Sequence, residues 1–262
     1  VFSLHDIKAS QLRYYNSYTP YTQFRYVQGD GELQVLDIYH TQSLSEQWNF
    51  GITYHSLKSE GFYDDEANRL ANVSFHTQYQ NAAGNYRLLA YGIWNTSDLN
   101  ESGGIENVDL FGLPEFGTQS ARQSQSSLMS ADQWQRSAEF GIRQMRYLGK
   151  QDSIRVKGYG NTAVFTPRAY VTHKLRYQRK TAKFSTSNTG FFNNNYTLCD
   201  EMFEVLEHRE VSNEVGFGLF FNKKEILQRD SNAIDKPYAE QVFYGGVDFR
   251  LGRAGFWGLE RI

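Results

Sequence analysis

The chain has 262 residues, of which 40% are hydrophobic and 16% aromatic, and its formal net charge is −2. Because it contains no run of about 20 apolar residues, it is not a helical membrane protein. So many Tyr, Phe and Trp side chains would not be left solvated, which argues against disorder. Lysine and arginine residues are scattered along the chain, so nothing indicates a nucleic-acid-binding surface. The single cysteine, Cys199, allows no internal disulfide.

Apolar and polar residues alternate with a period of two along most of the chain. In an extended strand, such alternation places the two kinds of side chain on opposite faces. The clearest short example is WNFGITYH, where Trp48, Phe50, Ile52 and Tyr54 oppose Asn49, Gly51, Thr53 and His55. Two architectures fit this pattern. In a transmembrane barrel the apolar face meets lipid and the polar face a wet lumen, whereas in a soluble sandwich the apolar face is buried.

The alternation predicts nine strands separated by polar, turn-like or longer segments. We expect them at residues 21–28, 33–41, 48–57, 69–80, 86–95, 133–148, 163–179, 206–222 and 238–252. A further short segment, residues 153–159, is either a strand or part of a turn. The fold class predicted is therefore all-β, an antiparallel transmembrane β-barrel.

The connections between the predicted strands differ in length. Residues 28–31, 80–85 and 148–153 have turn-like sequences. Two long connections, near residues 96–132 and 181–205, have no periodicity of their own, which is uncommon in compact soluble domains and ordinary in outer-membrane barrels. No linker divides the periodic regions, so residues 1–262 are predicted to form a single barrel domain.

Neither end of the chain carries a terminal signature of a complete barrel. No charged and apolar leader follows Val1, and the last residues, GFWGLERI, do not finish on an aromatic residue. We therefore expect a mature or partial barrel that is incomplete at one or both ends.

Charged residues on the polar phase of two predicted strands are the candidate functional residues. Arg168, Lys174 and Arg176 share one phase of residues 163–179, and Arg143 shares the polar phase of residues 133–148 with Glu139. Such charges suit a watery lumen, where they bias ion passage. An equally weighted alternative is a ladder of salt bridges that stiffens the wall.

The sequence offers little for covalent chemistry or metal binding. The six histidines are dispersed, with no HxxxH or CxxC spacing. There is no GxSxG motif and no plausible Cys–His pair for nucleophilic catalysis. We therefore expect no catalytic residues, no metal ligands and no cofactor.

Three stretches go beyond generic alternation. They are YTPYTQFRYVQG at residues 18–29, ESGGI at 101–105 following a strand that ends in YGIWN, and FTPRAYVTHKLRYQR at 165–179. With HTQSLSEQWNFGI at 40–52 between the first two, their order and spacing resemble the putative porin family of Bacteroidetes outer membranes. The resemblance covers most of the chain and rests on structural motifs. It implies a β-barrel in the bacterial outer membrane that serves diffusion or uptake of solutes.

Three functions follow as hypotheses. The first is an outer-membrane, porin-like barrel that passes small solutes, with outer-membrane lipid or lipopolysaccharide around it. The second is a structural or accessory barrel of a larger secretion or uptake complex, plugged by the connection at residues 96–132 and in contact with other outer-membrane proteins. The third is a secreted carbohydrate-binding β-sandwich. None of the three involves nucleic acid.

Overall fold

A computed structural model describes residues 6–15, 19–61, 66–101, 131–156, 160–186, 202–220 and 242–258. These residues form nine strands and one short 3-10 turn at Ala9–Gln11. The strands are β1 (Tyr21–Gln28), β2 (Gln34–Ser45), β3 (Trp48–Ser59), β4 (Asn68–Gln80), β5 (Tyr86–Asn100), β6 (Ala131–Val156), β7 (Gly160–Thr186), β8 (Met202–Phe220) and β9 (Val242–Gly258).

The nine strands form one sheet in which every strand pairs antiparallel with its neighbours in sequence. The spatial order is β1 to β9 without a crossover. The all-β, antiparallel expectation is confirmed. Within the described ranges β1 and β9 are the two edges and do not pair with each other, so the sheet is open there, consistent with an incomplete barrel. In the described part of the chain, no helix has the length and apolar character needed to cross a membrane.

One face of the sheet is apolar and exposed. Its register is continuous from strand to strand: Ile52 lies opposite Phe75, Phe75 opposite Gly92, and Gly92 opposite Phe140. We call this side the apolar face. Seven of its residues are 37–42% exposed, namely Ile52, Val73, Phe75, Phe140, Ile142, Val171 and Leu175.

The opposite side, the polar face, carries the most buried side chains. On β4, Asn72, Ser74 and His76 point to it, and each is at most 1% exposed. Ile93 lies opposite Ser74 on β5 and is fully buried as well. The most deeply buried part of the described structure is therefore a mostly polar patch on β4 and β5.

The turn predicted at residues 148–153 is wrong, because β6 continues through it to Val156. The register with β7 shifts between Leu148 and Gly149, and pairing then resumes from Gly149 opposite Pro167 to Val156 opposite Gly160. Backbone hydrogen bonds to β7 thus outweigh the local turn preference of Gly, Lys, Asp and Ser. Of the short segment 153–159, the first four residues end β6, and the last three lie outside the described residues.

Both long connections begin and end differently from the prediction. Strand β5 extends to Asn100 and β6 starts at Ala131, while β7 extends to Thr186 and β8 starts at Met202. The remainder of each connection lies outside the described residues. Asn100 pairs with Asp132, and Thr186 pairs with both Ala131 and Met202. Both connections therefore leave the sheet at the same end of the strands.

Three glycines on the polar face each lie beneath a ring on the adjacent strand. A Cβ atom at Gly51 would collide with the His76 ring, one at Gly141 with the Tyr91 ring, and one at Gly218 with the Tyr170 ring. Each glycine is the direct cross-strand partner of its ring. The missing side chain allows the ring to lie flat on the neighbouring strand.

We predict that Gly141→Ala destabilises the fold by about 1 to 3 kcal/mol, because the added methyl must displace the Tyr91 ring. In a Tyr91→Ala background the same substitution should cost almost nothing, because the obstructing ring is gone. A double-mutant cycle from unfolding free energies measures this coupling. Equal costs in the two backgrounds would contradict the packing described.

Candidate functional site

Two of the predicted cations on β7 form ion pairs with β8. The Lys174 Nζ atom lies 2.8 and 2.9 Å from the two carboxylate oxygens of Glu214. The Arg176 guanidinium donates to Glu210 at 2.6 Å. All four side chains are on the polar face, where Lys174 is directly opposite Glu214. Two of the candidate cations are therefore partly neutralised by salt bridges to β8.

Among the residues that the structure describes, Glu139 is held by hydrogen bonds and not by an ion pair. It accepts one from the Tyr91 hydroxyl at 2.8 Å and one from the Gln178 amide at 3.2 Å. Tyr91 can reach it because Gly141 leaves room for the ring. The carboxylate is thus fixed in position on the polar face.

Arg143 differs from Lys174 and Arg176, because it has no ion-pair partner within the described ranges. It lines a groove of about 340 Å³ together with Tyr91, Lys174, Arg176, Ser212 and Glu214. Lys174 is its direct cross-strand neighbour. The groove therefore contains two cations that form ion pairs with glutamates. It also contains one arginine whose guanidinium can contact solvent or a solute.

The structure places Arg168 apart from the other candidates. Pro167 pairs with Gly149 and Ala169 with Leu148, so Arg168 is the extra residue of the register shift and is exposed. It precedes Lys174 by six residues, which is about 20 Å along a strand. Glu139, Arg143, Lys174 and Arg176 form one cluster, and Arg168 does not belong to it.

A second charged group lies on the polar face at the β1 side of the sheet. Arg25 donates its Nε hydrogen to Asp37 at 2.6 Å, and His55 also hydrogen-bonds Asp37. These three residues are cross-strand neighbours on β1, β2 and β3. Within the described ranges, no group of three His, Cys, Asp or Glu residues is arranged to hold a metal ion.

Residues 6–15, which we call the strap, cross the polar face. The strap is anchored on β5 through two hydrogen bonds with Asn95: the Ile7 amide donates to the side-chain oxygen at 3.0 Å, and the side-chain nitrogen donates to the Ile7 carbonyl at 3.1 Å. Its first residue contacts β6, where the Gln135 amide is 3.5 Å from the Asp6 carboxylate. Near its other end, the Tyr39 hydroxyl on β2 donates to the Arg13 carbonyl at 3.3 Å.

Aromatic contacts also hold the strap against the polar face. The Tyr14 ring meets His76 edge-on at a centroid distance of 5.0 Å, and Tyr15 lies 5.6 Å from Tyr39. Burial raises the pKa of Tyr14 to about 12, and nearby Arg143 and Arg87 oppose that rise. Tyr14 therefore lies close to the cation cluster and is a neutral phenol at physiological pH.

Sequence reasoning missed the strap and the carboxylates of β8. Glu210 and Glu214 have the same phase as Ser212, so the alternation within β8 was a usable signal for them. The strap gave no comparable signal, because its contacts with Asn95 and Tyr39 join residues that are far apart in sequence.

A model of the putative porin family matches residues 1–251. No curated protein and no solved structure matches the chain. The family match covers the strap and the strands β1 to β8 completely.

We predict that Arg176→Gln and Glu210→Gln show a coupling of about 1 kcal/mol in a double-mutant cycle of unfolding free energies. Glu210 is only 19% exposed, so little water can replace the lost partner. The more exposed pair Lys58–Glu32, at 2.9 Å, is the control and should couple more weakly. A larger coupling in the control pair would show that burial does not strengthen the ladder.

Proposed function

Because the chain belongs to the putative porin family, we propose that it is a porin-like β-barrel of the bacterial outer membrane that lets small solutes pass. In this proposal residues 1–262 form a single barrel domain, the apolar face meets lipid or lipopolysaccharide, and the polar face borders the water-filled passage. The protein performs no covalent chemistry and needs no cofactor.

The exposed apolar face is the observation that carries the proposal. Large apolar side chains such as Phe24 and Phe217 are 66% and 49% exposed, and they lie on one continuous side of the sheet. Contiguous apolar surface of this kind requires a cover. In a soluble sandwich the cover is a second sheet, and the described residues form only one. Lipid is the cover that the family match favours over the carbohydrate-binding sandwich.

The polar face supports the second half of the proposal. Its ion pairs Lys174–Glu214 and Arg176–Glu210 retain partial exposure, and Arg143 borders an open groove. Charged groups in this state require water nearby, because complete desolvation costs more than the pairs return. A wet lumen supplies that water.

The orientation in the membrane follows from the connections. The connections that follow β5 and β7 leave the same end of the strands, and long connections of outer-membrane barrels collect on the extracellular side. We place that end outside the cell. The connection between β8 and β9, residues 221–241, leaves the opposite end and is also long, so the two ends do not divide simply into long and short connections.

A plugged accessory barrel is the second candidate, and the strap is the observation that favours it. The connection at residues 96–132 was the plug suggested by the sequence, and most of it lies outside the described residues. The strap instead occupies part of the polar face through Asn95 and Tyr39. An accessory barrel would act with other outer-membrane proteins and conduct nothing.

Reconstitution in planar bilayers tests the proposal: the purified protein should form water-filled channels. Replacing Lys174 and Arg176 with Gln should shift the reversal potential toward cation preference, because Glu210 and Glu214 then lose their counter-charges. The shift should grow in dilute salt, since the Debye length is about 8 Å at physiological ionic strength and about 30 Å at 0.01 M.

Replacing Arg136 and Lys183 with Gln is the matched control, because these two cations lie on the side of the apolar face. This pair of substitutions should leave the reversal potential unchanged. Absence of channels, with folding intact, would favour the accessory barrel.

Two adjacent positions on β1 test the lipid contact. Phe24 and Gln23 are both exposed and point to opposite faces. We predict that Phe24→Arg reduces the free energy of folding into bilayers by about 2 to 4 kcal/mol near the bilayer middle, whereas Gln23→Arg changes it little. If the sheet were surrounded by water, arginine at either exposed position would change the free energy of folding little. Equal small costs in a vesicle-folding assay would therefore place the apolar face out of lipid.

A further inference from the structure

The strap crosses the strands instead of running along them. It contacts Gln135 on β6 and Asn95 on β5 near its beginning, and His76 on β4 and Tyr39 on β2 near its end. Strands lie about 4.8 Å apart, so these contacts span roughly 19 Å of the sheet. Ten residues therefore cover the polar face across five strands.

The side chains beneath the strap are among the most buried of the described structure. Asn72, Ser74 and His76 on β4 are at most 1% exposed, and Ile93 on β5 is fully buried. By contrast, Lys174 and Arg176 on β7 are 41% and 38% exposed. A single sheet leaves its own face open, so the low exposure of these β4 and β5 side chains agrees with the position of the strap above them.

Resting on the proposed porin function, the geometry points to a specific role for residues 6–15: we propose that the strap is the inner wall that sets the size limit of the passage. It fills the space above β2 to β5 and confines solutes to the groove above β6 to β8. The residues that line the groove include Tyr91, Arg143, Lys174, Arg176, Ser212 and Glu214. Small polar solutes pass beside the strap, and larger ones are excluded by it.

The strap is held on the sheet by a few side-chain hydrogen bonds and ring contacts, which can be broken without disrupting a strand. Asn95 makes two hydrogen bonds with Ile7, and Tyr14 packs against His76. Ser74 Oγ is buried with no hydrogen-bond partner among the described residues. An unsatisfied buried hydroxyl opposes the docked state, because water would satisfy it once the strap leaves. The strap is therefore held by specific side chains and can be detached without removing a strand.

A release variant, Tyr14→Ala with Asn95→Ala, tests the role of the strap. Its control is Asn49→Ala, which also removes a buried polar-face asparagine, but one whose side chain hydrogen-bonds Thr41 and Ser43 and not the strap among the described residues. The size limit is measured as the largest neutral polyethylene glycol that enters the channel and lowers its conductance. The release variant should admit larger polymers than the parent, and Asn49→Ala should not.

A second readout reports the position of the strap without using conductance. Ser74→Cys is introduced with Cys199→Ser, and labelling by a water-soluble maleimide is timed in the parent and release backgrounds. Labelling should rise roughly tenfold or more on release, because Asn95 contributes two hydrogen bonds, each worth a factor of about two to ten.

The outcomes separate this inference from the function on which it rests. Faster labelling with a larger size limit supports the strap as the inner wall. An unchanged size limit in a conducting release variant whose Ser74→Cys site is labelled faster overturns it, and so does rapid labelling in the parent. No conductance from parent or release variant rejects the porin function, and the size-limiting role with it.

Discussion

The two-residue period of the antiparallel strand is the constraint on which the rest of the structure depends. Each strand hydrogen-bonds the next in sequence, so a register error of one residue would move every side chain of that strand to the opposite face. The register instead keeps the large apolar side chains of β1 to β8 mainly on one face and most polar side chains on the other. The proposed location in a membrane, the proposed wet passage and the position of the strap all rest on that separation.

Charge on the polar face is organised by neighbouring strands. Lys174 and Arg176 on β7 face Glu214 and Glu210 on β8, and Arg25 on β1 faces Asp37 on β2. Each of these three cations therefore has its counter-charge one strand spacing away, which lowers the net field of the polar face. In the proposed passage, ion selectivity would then depend on the charged residues that have no partner in these pairs. Arg143 has no ion-pair partner in the described part of the chain and borders the groove.

The strap covers part of the polar face and leaves the rest open. The proposed passage needs water along the polar face, whereas a segment packed against that face excludes water from it. The structure accommodates both by covering β4 and β5 and leaving the face of β7 and β8 partly exposed. Glycines that face aromatic rings also allow close packing on the polar face. Gly141, for example, leaves room for the Tyr91 ring to lie flat and to hold Glu139.

The sequence by itself determined the strands, their two faces and the family resemblance, because period-two alternation is a local property that each segment carries alone. It also placed Glu139, Arg143, Lys174 and Arg176 on polar phases. Only the tertiary structure decided that residues 148–153 continue β6, since pairing with β7 outweighs their turn preference. It likewise separated Arg168 from the cluster through a register shift, which no single strand reveals. The strap could not be foreseen, because the hydrogen bonds between Ile7 and Asn95 join residues 88 positions apart.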